Sequence, residues 1–175
     1  MIRRPWLVRS FCAALVAATS LGPLPHASAA PTADERAAEV KLLKIVNRAR
    51  EAQELKLLKE HDVILDEARA QSARMAEAET LNHAGLEARK SRIAREDNGI
   101  DEEQICEAVA SAPVGNVKRQ MKKIFAAWRA DEDINDCLLD GLGYTARSAA
   151  AGIVIADNTY WVTFIAAADD TPGGR

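Results

Sequence analysis

The stretch LNHAGLEARKSR, residues 81 to 92, places one of only three histidines, His83, between the end of a helical run and a glycine. A histidine in such a setting can ligate a metal, pass a proton or be held in one tautomer by a carboxylate. Zinc asks for about three protein ligands, at least two of them nitrogen or sulfur donors, so His83 needs partners from elsewhere in the chain. His61, in the turn-like KEHD, reads as a solvated loop residue, and His26 falls in a segment expected to be removed. Two further reactive side chains, Cys106 and Cys137, either pair with each other or leave one as a nucleophile beside His83; no cysteine-protease signature surrounds either. Ser72, Ser91, Ser111 and Ser148 lack a G-x-S-x-G setting. Gly141, Gly143 and Gly152 read as turn and strand-start residues, and nothing resembles a phosphate loop.

The N-terminus explains why His26 is set aside. MIRRPWLVRS carries Arg3, Arg4 and Arg9 without an acid, an apolar run follows, and HASAAP supplies small residues at Ala27 and Ala29. That order is a cleavable secretory signal over residues 1–29. Gly22, Pro23 and Pro25 break the run short of the roughly 20 apolar residues a membrane span needs, and Arg9 before Cys12 does not suit a lipid anchor. No stable membrane anchor is therefore expected after cleavage. The chain has 23 Lys plus Arg against 26 Asp plus Glu. Loss of three Arg and no acid leaves 20 against 26, about −6, which disfavours a nucleic-acid partner. The 146 residues left are one domain's worth, and the two cysteines left in an oxidising compartment suggest one disulfide.

The elements that would position His83 are mostly helices. Thr32 and Glu35 form a capping box, and Val40, Leu43, Ile45, Val46 and Ala49 keep helical spacing to about Arg50. A second helix begins after Asp62, read as its N-cap, carries a stripe of Leu65, Ala68, Ser72, Met75 and Ala76, and ends near Thr80. A third starts about Asn116 with Val117, Met121, Ile124, Phe125 and Trp128 on one face. Residues 83 to 115 between them have mixed charge and no long apolar period, and read as a long, partly irregular connection. Within it, ARKSRIAR, with Arg89, Lys90, Arg92 and Arg95, reads as a solvated face balanced by Asp101, Glu102 and Glu103. AAGIVIAD and YWVTFIAA flank Asp157-Asn158-Thr159 as an antiparallel hairpin with both faces partly covered, and a further strand is expected within Leu142 to Ser148. Helices ahead of a hydrophobic hairpin make an α+β domain.

Taken in order, IVNRAREAQELKLLKEHDVILDEARAQSARMAEAETLNH, CEAVAS, VKRQMKKIFAAWRADEDINDCLL and AGIVIADNTYWVTFIA resemble the CAP superfamily, also called SCP-like: cysteine-rich secretory, antigen 5 and pathogenesis-related class 1 proteins. The resemblance covers residues 40–167 and leaves 30–39 as a lead-in and 168–175 as a flexible tail. It implies an α-β-α sandwich with helices packed on a small central antiparallel sheet. It also implies an exported protein, periplasmic or extracellular, and usually no proven enzymatic activity.

The family's cleft commonly carries two histidines and two acids that can bind a divalent cation. His83 matches the first His and Glu107, in CEAV, the acid of a G-E-N motif, although Cys106 and Ala108 replace its Gly and Asn. Glu87 is the candidate second acid. The second His is lost: alignment on Trp128 puts Ile134 there. The resemblance thus implies a degenerate cleft at His83, Glu107 and Glu87, with no cofactor expected. Any cation held would rely on His83, Glu107 and Asp131, or on Asp133 or Asp136, and would be an oxygen-seeking ion. A Cys106–Cys137 disulfide would join two walls of that cleft. The function implied is a binding or interaction module for an unidentified protein or small apolar ligand. The alternatives are a hydrolase or metal-dependent enzyme using His83 and Glu107, or a lipid or sterol carrier.

Overall fold

The computed structural model describes residues 30–97, 99–139 and 146–169. The expected signal segment, the turn glycines Gly141 and Gly143, and the residues after 169 lie outside them. Helix α1 (Ala33–Glu51) starts on the capping box: the Thr32 N–H donates to Glu35 Oε2 at 2.7 Å and the Glu35 N–H to Thr32 Oγ1 at 3.2 Å. Most of the expected lead-in 30–39 is therefore helix, and Ala38 and Glu39 are already buried. A two-residue strand β1 (Lys59–Glu60) precedes α2 (Asp62–Ala78), whose N-cap is His61 rather than Asp62. Then come α3 (Leu86–Glu96), β2 (Ile100–Pro113), α4 (Val117–Arg129), α5 (Glu132–Leu139) and the strands β3 (Ala146–Ala156) and β4 (Thr159–Asp169). Among the described residues no helix is long and apolar enough to cross a membrane.

The sheet has the order β1-β3-β4-β2. β3 and β4 form the expected hairpin, turned on Asp157 and Asn158 at φ 46° and 58°, the left-handed conformation that two-residue hairpin turns need. β2 pairs antiparallel with β4, while the short β1 runs parallel to β3, so the sheet is mixed at one edge rather than wholly antiparallel. Alternation along β4 sends Val162, Phe164 and Ala166 into a core with α1, α4 and α5, and Ile165 and Ala167 into a second core with α2 and α3. The result is an α-β-α sandwich whose central strand is buried on both faces.

Trp128 closes the first core: its ring is 6.2 Å from that of Phe164 and its Nε1–H donates to the Val109 carbonyl. In the second, the small-residue stripe of α2 lets the helix sit directly on β3. A Cβ at Gly152 would stand 2.2 Å from the Ala68 carbonyl carbon. Gly152 is thus a close-approach glycine in mid-strand, not a strand-start residue.

The connection expected between the second and third predicted helices is instead an ordered helix and the 14-residue strand β2. Helix α3 escapes a periodicity reading because only Leu86 and Ile93 mark its inner face as apolar, and the buried position between them is Arg89. The strand expected within Leu142–Ser148 is present only as the start of β3; residues 142–145 lie outside the described set.

Candidate functional site

His83 lies in the loop between α2 and α3, while Glu107 faces α3 from the edge strand β2. The two meet directly: His83 Nδ1 is 2.8 Å from Glu107 Oε1. The Glu107 side chain is fully buried, whereas the His83 side chain is 49 % exposed. A buried carboxylate needs a cationic partner and saturated lone pairs, and Arg89 supplies both. Its Nε donates to Oε2 at 2.9 Å and its Nη2 to Oε1 at 2.7 Å, the planar fork matched to a carboxylate. The remaining nitrogen, Nη1, donates to Gln71 Oε1 at 2.9 Å and to the Ala84 carbonyl at 2.6 Å.

Gln71, buried on α2, ties this cluster to the loop. Its Nε2 donates to the Asn82 carbonyl at 2.7 Å, and its Oε1 also accepts from Arg74 Nε at 3.0 Å. Partial burial and then the nearby Arg89 guanidinium lower the Arg74 group below its ordinary value. Arg89 and Gln71 are the residues that sequence reasoning missed. Arg89 was hidden in a run of charge read as solvated; the usable signal was its place between Leu86 and Ile93 on one helical face.

The other expected site residues do not join His83. Glu87 is exposed and pairs with Lys90 at 3.4 Å. Asp131 accepts from the Ile134 N–H at 3.1 Å, at the start of α5. Ile134 packs with the α1–α4 core, on the sheet face away from the one Glu107 turns to. The Cys106–Cys137 disulfide forms, with a Cα–Cα distance of 5.7 Å. Neighbouring strand residues point to opposite faces, so Cys106 bonds to α5 while Glu107 faces α3. The bridge therefore stitches the far side of the sheet, whereas the resemblance had implied that it joins two walls of the His83 cleft. His61 is not merely solvated: its Nε2 lies 3.1 Å from Asp97 Oδ2.

With Nδ1 turned to Glu107, the half-exposed His83 ring presents Nε2 as its other polar atom. One imidazole nitrogen is a weak cation site, and both Glu107 oxygens are engaged by Arg89. Among the described residues no group of three or more His, Cys, Asp or Glu is arranged so that it could hold a metal ion. This donor set does not suit the divalent cation that the fold family implies.

Comparison with solved structures addresses the fold. An outer surface protein of Borrelia burgdorferi superposes with a TM-score of 0.61 at 16% identity, over 81% of this chain and 97% of that one. The CAP domain of enterococcal PrgA gives 0.55 at 15%, over 83% and 68%. A cysteine-rich secretory protein of Staphylococcus aureus gives 0.53 at 15%, over 77% of this chain and 40% of that one. This chain has the CAP fold. No family model and no curated protein sequence matches it, so the likeness is carried by architecture. This chain covers less than half the length of the staphylococcal chain.

Proposed function

We propose that this chain is an exported CAP-fold domain acting as a binding or interaction module, with a cleft built on Arg89, Glu107 and His83 that works without a bound cation. The observation that carries this reading is the saturation of Glu107: a guanidinium from the chain itself occupies both carboxylate oxygens and leaves His83 as the exposed polar group. Export is supported by the basic, apolar and small-residue order of the N-terminus and by the outer-surface description of one structural neighbour. A hydrolase would need a nucleophile beside His83. The Ser72 hydroxyl is buried, 2.8 Å from the Gly152 carbonyl oxygen, and Ser91 donates to Glu102.

The test is metal analysis and calorimetry on the purified protein. No stoichiometric metal should accompany it, and zinc affinity should be weak and insensitive to His83→Ala. Tight one-to-one zinc binding that disappears in His83→Ala would return the cleft to metal chemistry.

A further inference from the structure

Independently of the cleft, the outer face of α4 stands apart electrostatically. VKRQMKKIFAAWR contains five cations and no acid, whereas α1, α2, α3 and α5 each contain acids. Elsewhere several arginines find carboxylates: Arg36 with Glu60, Arg69 with Glu39, Arg89 with Glu107, Arg92 with Glu67. Among the described residues none of Lys118, Arg119, Lys122 and Lys123 has such a partner, and all four are exposed.

Their arrangement opposes helix stability. Lys118 and Arg119 sit in the first turn, where the helix dipole disfavours cations. The pairs Lys118/Lys122 and Arg119/Lys123 are like charges at i,i+4. Local choices that work against the fold mark surfaces kept for another use.

We infer that the outer face of α4 binds reversibly to a bilayer surface bearing anionic phospholipid headgroups. Charge complementarity supplies the attraction, and α1, which packs beside α4 on the same side of the sheet, also carries exposed Lys44 and Arg48. The attachment is electrostatic and does not insert, because Met121, Ile124 and Trp128 are turned into the core. The exposed large apolar side chains among the described residues are Leu57 and Leu81, neither of them on α4. No exposed aromatic ring on α4 offers a stacking platform for single-stranded nucleic acid.

The experiment is co-sedimentation of the protein, as recovered from an exporting host, with vesicles of phosphatidylcholine alone or mixed with phosphatidylglycerol, at low and high salt. Binding should require phosphatidylglycerol and fall with salt. Lys122→Gln/Lys123→Gln should weaken it by about tenfold or more, from the typical contribution of each cation at such a surface. Lys90→Gln/Arg95→Gln on α3 should leave it unchanged. Equal binding to neutral vesicles, no loss in the α4 variant, or the same loss in the α3 variant would overturn the inference. So would binding to heparin, a soluble polyanion, without binding to the anionic vesicles. The α4 variant alters two exposed side chains and the α3 variant one exposed and one partly buried side chain, and circular dichroism checks that each remains folded.

Discussion

Two fully buried carboxylates, one in each helical layer's contact with the sheet, are solved in different ways. Glu39 on α1 receives Arg69 Nε at 2.8 Å and Nη2 at 2.7 Å, with Arg36 Nη1 at 3.2 Å and the Ile153 N–H at 3.4 Å. All its partners are scaffold, and they fasten α1 to α2 and β3. Glu107 receives the same fork from one arginine, and its other side-chain partner is a half-exposed histidine. The first arrangement is a clamp, and the second holds a polar ring at the surface. A buried Arg–carboxylate fork is therefore no guide to function by itself; what its remaining lone pairs meet decides that.

The sharpest way to break the comparison is to remove each arginine. Arg89→Met leaves Glu107 with no cationic side chain except a protonated His83, and should cost about 3 to 5 kcal/mol in urea denaturation. Loss of the disulfide in Cys137→Ser, on the opposite face, should cost roughly 3 to 4 kcal/mol for its 31-residue separation in the chain-entropy model. The variant should leave the His83 ring in place, as judged by its NMR resonances. Arg69→Met should cost less, about 1 to 3 kcal/mol, because Arg36 and the Ile153 N–H still reach Glu39. If the two arginine variants were equally destabilised, the clamp and the platform would not differ as described.

Acid sharpens the α1 side. The hydrogen bond from Arg36 outweighs burial and holds Glu60 below its ordinary value of 4.5. At Glu35 burial pushes upward, yet hydrogen bonds from the Ile155 and Thr32 N–H groups and the Thr32 hydroxyl outweigh it. A depressed carboxylate contributes stability above its unfolded value and loses it as pH falls through the folded one. Glu60→Gln should therefore flatten the fall in stability below about pH 4.5, and high salt should mimic it at this exposed pair. The smallest effect belongs to His83→Gln, under about 1 kcal/mol because Glu107 keeps its arginine fork. A larger loss would make His83 part of a clamp after all.

Much of the frame was legible locally. The capping box at Thr32, the apolar face ending in Trp128 and the tight Asp157-Asn158 hairpin depend on neighbours a few residues apart, where periodicity and turn chemistry act. The pairing of two cysteines followed from their count and the expected export. His83 and Glu107 were found by resemblance, and the structure sets them 2.8 Å apart across 24 residues of sequence.

What the sequence could not determine was which charged residue turns inward. Arg89 and Arg92 sit three apart in one basic run, yet Arg89 is buried and Arg92 exposed. The difference arises because β2 brings Glu107 beneath α3, and the desolvation of that carboxylate is offset only by a guanidinium facing it. The same strand alternation sends Cys106 and Glu107 to opposite faces and so separates the disulfide from the cleft. Local pattern encodes helices and turns because their hydrogen bonds close within a few residues. The partner of a buried charge is set by tertiary approach, and only the folded sheet brings Glu107 to Arg89.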